Sequence, residues 1–224
     1  MRLRFTNRFD AGRRLAAALA SYAGRPDVLV LALPRGGVPV AFEVARALDA
    51  PLDIFVVRKL GVPGHEEFAM GAIATGGVGL IDDAVVRQLG ISEREIEVVT
   101  RTEQRELERR ERQYRGDRPP PDIAGRTVIL VDDGLATGAS MRVAVAALRR
   151  EHPARIVVAV PIAPPETCEA LRQEADAVVC ALSPDPFDAV GLWYDDFEQT
   201  TDDEVRALLE RARHDFAPAP FPRR

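Results

Sequence analysis

Two adjacent carboxylates, Asp132 and Asp133, close an apolar run, and a Thr-Gly-Ala-Ser turn follows them within residues 128–140 (VILVDDGLATGAS). A short, unbroken apolar run reads as a strand buried on both faces, so the acids are delivered at its carboxyl end. Backbone N–H groups at the helix start that follows, joined by the Thr137 and Ser140 hydroxyls, make a pocket for a phosphate. The acids would repel that phosphate and must serve something else. Ribose hydroxyls, which donate hydrogen bonds to carboxylates, fit that need, and so does an ion carried by the ligand. The pattern points to a sugar phosphate, with phosphate on the turn and diol on the acids.

Two familiar nucleotide sites do not explain these residues. A Walker B strand also ends in acids, but no G-x-x-x-x-G-K-[ST] occurs anywhere in the chain. Gly77-Val78-Gly79 begins a dinucleotide fingerprint and meets Asp82 where its third glycine belongs. Two further clusters carry charge near strand ends. Pro34-Arg35-Gly36-Gly37 follows the apolar run VLVLAL, and its glycines let backbone N–H groups approach a ligand while Arg35 adds a cation. Arg58 and Lys59 follow a second apolar run, LDIFVV. His65, Glu66 and Glu67 lie deeper in the same stretch, where one could move a proton, although surface positions suit all three.

The elements that must position these groups follow from periodicity. Helices are expected over 10–22, with Leu15, Leu19 and Tyr22 on one face, and over 40–48, 140–150, 165–174 and 202–213. Wholly apolar strands are expected over 28–33 and 177–182 and nearly all-apolar strands over 52–57, 127–131 and 155–160. Residues 58–70 lack clear periodicity and read as a long loop, and 72–81, with Gly76-Gly77 inside, read as a hairpin. Residues 82–116 read as helical and charged, with Glu106–Arg110, Glu108–Arg112 and Glu111–Arg115 at i, i+4, as a solvated helix would have. Residues 183–200 are irregular and aromatic. Strands alternating with helices, each strand nearly all apolar, give an α/β fold with a mainly parallel sheet. Ligands in such sheets bind at the carboxyl ends of strands, where the strand order reverses.

Composition bounds the alternatives. With 224 residues, 46% of them hydrophobic, the chain can bury one good core, so a single domain is expected. A formal net charge of −5 argues against a nucleic-acid binder, which needs a surplus of cations over a wide face. Neither a secretory leader nor a membrane span is legible, and a cytoplasmic protein is expected. Cys168 and Cys180 sit in apolar contexts without metal-ligand spacing and read as buried thiols.

Residues 128–140 resemble the binding motif for 5-phosphoribosyl 1-pyrophosphate (PRPP) in type I phosphoribosyltransferases. The stretches LALPRGGVPVA, VVRKLGVPGHEEFAMGAIA and VGLWYDDF are similar to those of bacterial phosphoribosyltransferase-like proteins of unassigned acceptor, so the resemblance covers nearly the whole chain. It implies a Rossmann-like, mainly parallel sheet flanked by helices over residues 1–216. A helical insert (82–118) and a small hood (183–200) would interrupt or close it, and a flexible tail would occupy 217–224.

The resemblance also implies roles. Asp132 and Asp133 would grip the ribose hydroxyls, and Ala136, Thr137, Gly138, Ala139 and Ser140 would hold the 5′-phosphate. Pro34, Arg35, Gly36 and Gly37 would bind pyrophosphate, with a cis peptide expected between Pro34 and Arg35. Arg58 and Lys59 would be catalytic, carried on a mobile loop that closes over PRPP and meets the leaving group. Magnesium would enter chelated by PRPP itself, with no dedicated protein ligands.

The implied activity is transfer of a phosphoribosyl group to a nitrogenous base-like acceptor in nucleotide metabolism, by a homodimer. A non-catalytic PRPP- or nucleotide-binding regulator is the alternative, and a phosphosugar hydrolase or decarboxylase-like enzyme a third. Enzymes of this family that act on 6-oxopurines carry an acid where this chain has Ala136, so hypoxanthine and guanine are expected to be poor acceptors. The acceptor would lie against the hood. There Trp193, the chain's sole tryptophan, and Tyr194 are candidate stacking residues, with Phe187 and Phe197 nearby.

Overall fold

The computed structural model describes residues 4–216, so the expected tail at 217–224 lies outside the described residues. Five short strands form one parallel sheet: β1 (Val28–Ala32), β2 (Leu52–Ile54), β6 (Thr127–Val131), β7 (Arg155–Ile162) and β8 (Ala177–Leu182), in the order β2-β1-β6-β7-β8. Every residue of β1 and β6 is buried, as their unbroken apolar sequence requires. Alternate side chains face opposite layers. Val28, Val30, Ile129 and Val131 pack with helices α1 (Arg8–Ala18), α2 (Gly37–Leu48) and α7 (Asp202–Asp215). Leu29, Leu31, Val128 and Leu130 pack with α5 (Ala139–Arg150) and α6 (Pro165–Arg172). From β1 the chain first builds outward to β2, then returns to place β6 on the other side of β1. That reversal puts the crevice for a ligand at the carboxyl ends of β1 and β6.

A second, antiparallel sheet joins β3 (Val57–Val62), β4 (His65–Ala74) and β5 (Val78–Ile81) in that order. Here the expectation of a long loop over 58–70 is corrected, because most of those residues pair as a hairpin with Val57 opposite Ala74 and Lys59 opposite Ala72. Pro63-Gly64 makes the turn, with Gly64 at φ 77°, the left-handed conformation that a turn with proline before glycine demands. Two register shifts, between Leu60 and Val62, and an outer half of β4 that is exposed from His65 to Ala69 blurred the alternation in the sequence.

The charged stretch 82–116 is also divided. Helix α3 (Asp83–Leu89) stops at Gly90, φ 65°, and α4 (Glu93–Arg115) restarts behind Ser92, whose side chain forms a capping box with Glu95. Glu106–Arg110 and Glu111–Arg115 pair as expected, whereas Glu108 accepts from Gln104. Helix α4 is more than a solvated face. It buries Leu107, Tyr114 and Arg115, and Arg115 donates to Asp53 at 3.1 Å and to the Ile54 carbonyl, fastening the helix to the end of β2.

The expectation of buried thiols is corrected as well. Cys168 on α6 and Cys180 on β8 are joined as a disulfide, because the crossover of 12 residues lays the helix face against its own following strand. No helix among the described residues is long and apolar enough to cross a membrane.

Candidate active site

The turn after β1 and the end of β6 are built into each other. Leu33 N–H donates to the Val131 carbonyl at 2.9 Å, and the Gly37 N–H returns to Leu33 at 3.2 Å. The peptide between Pro34 and Arg35 is cis, as expected from the resemblance. Gly36 and Gly37 allow a contact no side chain would permit. A Cβ on Gly36 would stand 2.0 Å from the Asp133 Oδ2, and one on Gly37 would stand 2.8 Å from the Val131 carbonyl oxygen. The expected pyrophosphate turn therefore lies directly on the expected ribose acids.

Asp132 and Asp133 are half-buried rather than displayed on the surface. Asp132 Oδ1 accepts the Asp133 N–H at 2.8 Å. Burial pushes the Asp132 carboxyl well above the ordinary range, and the charge of Asp133 adds to the rise. Asp133 is raised too, again chiefly by burial, against the opposing pull of the Arg8 guanidinium. The charge on each of these neighbouring acids therefore depends on the other. Arg8, the first residue of α1, donates from Nε to Asp133 Oδ2 at 2.7 Å and from Nη1 to the Glu198 carbonyl at 2.6 Å. Sequence reasoning missed Arg8: an arginine at a helix start, 125 positions from its acid, carries no local signal.

Between the acids and α5 the chain makes the turn expected to hold phosphate. Gly138 takes a left-handed φ of 71° as the N-cap of α5, and the Thr137 hydroxyl accepts from the Ala139 N–H at 3.4 Å. Ala136 faces solvent, and its carbonyl is held from behind by the Thr167 hydroxyl at 2.6 Å. Ser140 is exposed on the first turn. The N–H groups of that first turn have no partner within their own helix, so they can meet an anion.

The aromatic candidates separate. The Tyr194 ring is 4% exposed, packed 5.3 Å from Phe5 and 4.8 Å from Phe197, and its hydroxyl donates to the Asp133 carbonyl. Trp193 is half-buried beside it, with its carbonyl accepting the Phe5 N–H at 2.8 Å. Phe187 packs against the same small cluster.

The remaining cations are each set against an acid. Arg35 Nη1 lies 3.6 Å from Asp202 Oδ1, and Asp202 also accepts from the Tyr114 hydroxyl of α4. Arg58 on β3 meets Glu103 of α4 at 2.6 Å, and Lys59 donates to the Glu67 carbonyl at 3.1 Å. Arg58 and Lys59 border a cleft of about 640 Å³ between the hairpin and α4. No hydrogen bond or ion pair among the described residues links them to Asp132 or Asp133. His65, Glu66 and Glu67 are exposed on the hairpin. Glu103 and Asp202 are further residues that the sequence did not single out.

Comparison with known proteins adds to this geometry. The model of the phosphoribosyl transferase domain matches residues 3–194. A Mycobacterium tuberculosis protein, named as a phosphoribosyl transferase on a provisional basis, is 48% identical over 215 residues. That match takes in 96% of this chain and 48% of the relative, so the chain spans about half the length of the curated relatives it matches. The crystal structure of TT1426 from Thermus thermophilus is 44% identical, covers 93% of this chain and 98% of its own, and superposes with a TM-score of 0.82.

Proposed function

This chain belongs to the phosphoribosyl transferase domain family, and from that membership we propose that it transfers a 5-phosphoribosyl group from PRPP to a nitrogen of a base-like acceptor. The observation that carries the reading is the contact between the two ligand-holding segments. The Gly36-Gly37 turn and the Asp132–Asp133 pair touch at the point where the strand order reverses. One molecule carrying both a pyrophosphate and a ribose diol would meet both segments there.

In this reading the 5′-phosphate rests on the turn of Ala136, Thr137, Gly138, Ala139 and Ser140, at the start of α5. Asp132 and Asp133 accept from the ribose hydroxyls. Pro34, Arg35, Gly36 and Gly37 face the pyrophosphate. The bond from the ribose anomeric carbon to pyrophosphate breaks as the bond to the acceptor nitrogen forms, and the acceptor's proton passes to the departing pyrophosphate or to solvent. Negative charge builds on the departing pyrophosphate, where fixed cations such as Arg35 are most effective. Arg58 and Lys59 would assist it by closing from the hairpin.

Magnesium fits as an ion carried by PRPP. The two acids already hold a guanidinium beside them, a poor setting for a protein cage around a divalent cation. When bound, the ion would neutralise pyrophosphate charge. Trp193 is the better stacking surface for a flat acceptor, since Tyr194 has aromatic neighbours and a main-chain hydrogen bond that fix it as support.

The test is incubation with PRPP, magnesium and a panel of nitrogenous bases, followed by release of pyrophosphate. Release that depends on one acceptor supports transfer. PRPP binding without release from any base would instead indicate a regulatory, non-catalytic protein.

A further inference from the structure

Arg8 makes three separate contacts while its side chain is only 11% exposed. Besides the bonds to Asp133 and to the Glu198 carbonyl, its guanidinium lies 3.9 Å from the centroid of the Phe197 ring. Two N–H groups are used in different directions and the flat face is used by an aromatic ring, a combination that suits a guanidinium and not an ammonium. Asp132 takes no hydrogen bond from the guanidinium and feels its charge only through space, while its Oδ1 accepts the Asp133 N–H. The guanidinium thus serves one acid of the pair. It takes Asp133 Oδ2, while the Asp132 carboxyl is the other side chain that bonds this carboxylate.

We propose that Arg8 is the positioning residue of the sugar site, selecting Asp133 over Asp132 as the charged acceptor and fixing the orientation of its carboxylate toward a ribose hydroxyl. This rests on the PRPP reading above. Neighbouring carboxylates in a poorly solvated place do not both ionise readily, so the partner of one cation is the one that stays charged. The groups that face Asp133 are few. Asp132 stands beside it on the end of β6, Arg8 reaches it from α1, and Tyr194 bonds its carbonyl from the C-terminal segment. The Gly36-Gly37 turn brings backbone only. Burial keeps the Tyr194 phenol neutral by raising its pKa, so Arg8 is the cation that decides the pair. Because the same guanidinium holds Glu198 and Phe197, the position of that segment and the charge of the acid are coupled.

The experiment uses Arg8→Gln and Arg8→Lys in the full chain. Affinity for PRPP with magnesium is measured by calorimetry at pH 6 and pH 9, and carboxyl-carbon NMR follows Asp132 and Asp133 in the free protein. Without the cation Asp133 ionises at higher pH, so the loss of affinity is greatest at low pH and shrinks as pH rises. Arg8→Gln is expected to weaken binding about tenfold or more at pH 6 and much less at pH 9, while Arg8→Lys falls between. In the free protein Arg8→Gln should raise the titration of Asp133 more than that of Asp132. Equal losses at both pH values, or no loss, overturn the proposal. If wild-type protein binds no PRPP, the functional reading fails on its own. The NMR titration then still judges Arg8, and an unchanged Asp133 sinks it. Should Arg8→Gln unfold, Arg8→Lys decides by the same comparison.

Discussion

The Tyr194 hydroxyl donates to the main-chain carbonyl of Asp133, 61 positions earlier in the chain. The bond carries the irregular segment after β8 back over the end of β6 and fastens it there. With Phe5 and Phe197 beside the ring, Tyr194 becomes a pillar under the candidate site. Trp193, its neighbour, packs against the same cluster but remains half-buried.

The pillar and the platform should therefore respond differently to substitution. Tyr194→Phe removes the donor to a part-buried carbonyl and should cost about 0.5–1.5 kcal/mol of stability, read by chemical denaturation. Trp193→Ala should leave PRPP affinity near wild type and raise KM for the acceptor, by about 1–3 kcal/mol if a base stacks there. An unchanged acceptor KM would remove Trp193 from the pocket.

Hypoxanthine and guanine should be turned over poorly, because Ala136 offers neither an acceptor nor a donor where the 6-oxopurine enzymes of the family keep an acid. Installing one, as Ala136→Asp, should improve 6-oxopurine use relative to other bases if the position is equivalent. Comparison of kcat/KM across the base panel checks both statements. Efficient use of either purine by the wild type contradicts the first.

The Asp132 carboxyl should cost stability at neutral pH. Burial raises its pKa in the folded protein, so the folded state holds its proton to higher pH than the unfolded chain does. Folding stability is then greatest below the ordinary carboxylate range and falls as pH rises toward the folded value. Asp132→Asn removes the charge and keeps an oxygen for the Asp133 N–H. It should raise Tm at pH 8, with the gain closing as pH falls to 4, and should weaken PRPP binding less than Asp133→Asn does, because Asp133 is the acid that carries the charge. A lower Tm at pH 8 would contradict the assignment.

Paired strands at 57–74 should protect their amides even without ligand. Hydrogen exchange is expected to be slow near Lys59 and Ala72, which lie opposite each other, and faster at the exposed end from His65 to Phe68. Uniformly fast exchange across 58–70 would restore the loop.

Glu103 should compete with a pyrophosphate for Arg58. Its ion pair is about one-quarter exposed on both sides (27% and 22%), so Glu103→Gln should change stability by less than about 1 kcal/mol. PRPP affinity should rise a few-fold as Arg58 is freed. A fall in affinity would mean that Glu103 instead aims Arg58 at the ligand.

The sequence by itself determined the parallel sheet and the candidate site's two main segments. The apolar run TVILV has no solvated face, so residues 127–131 could be recognised as a buried strand at its true limits, and AVVCAL likewise gave the limits of β8, although that edge strand is only half-buried. The acids, the glycine turn and the start of α5 are consecutive residues, and their chemistry is written locally. Tertiary structure decided the rest. The hairpin at 57–74 was hidden because its outer half is exposed and its register shifts, so neighbouring residues do not alternate cleanly. The disulfide depended on α6 lying against β8. Arg8 reaches Asp133 across 125 positions, and Tyr194 reaches its carbonyl across 61. Periodicity reports only near neighbours along the chain. Which distant cation or hydroxyl reaches a strand end is set by how the helices and the last segment pack around the sheet.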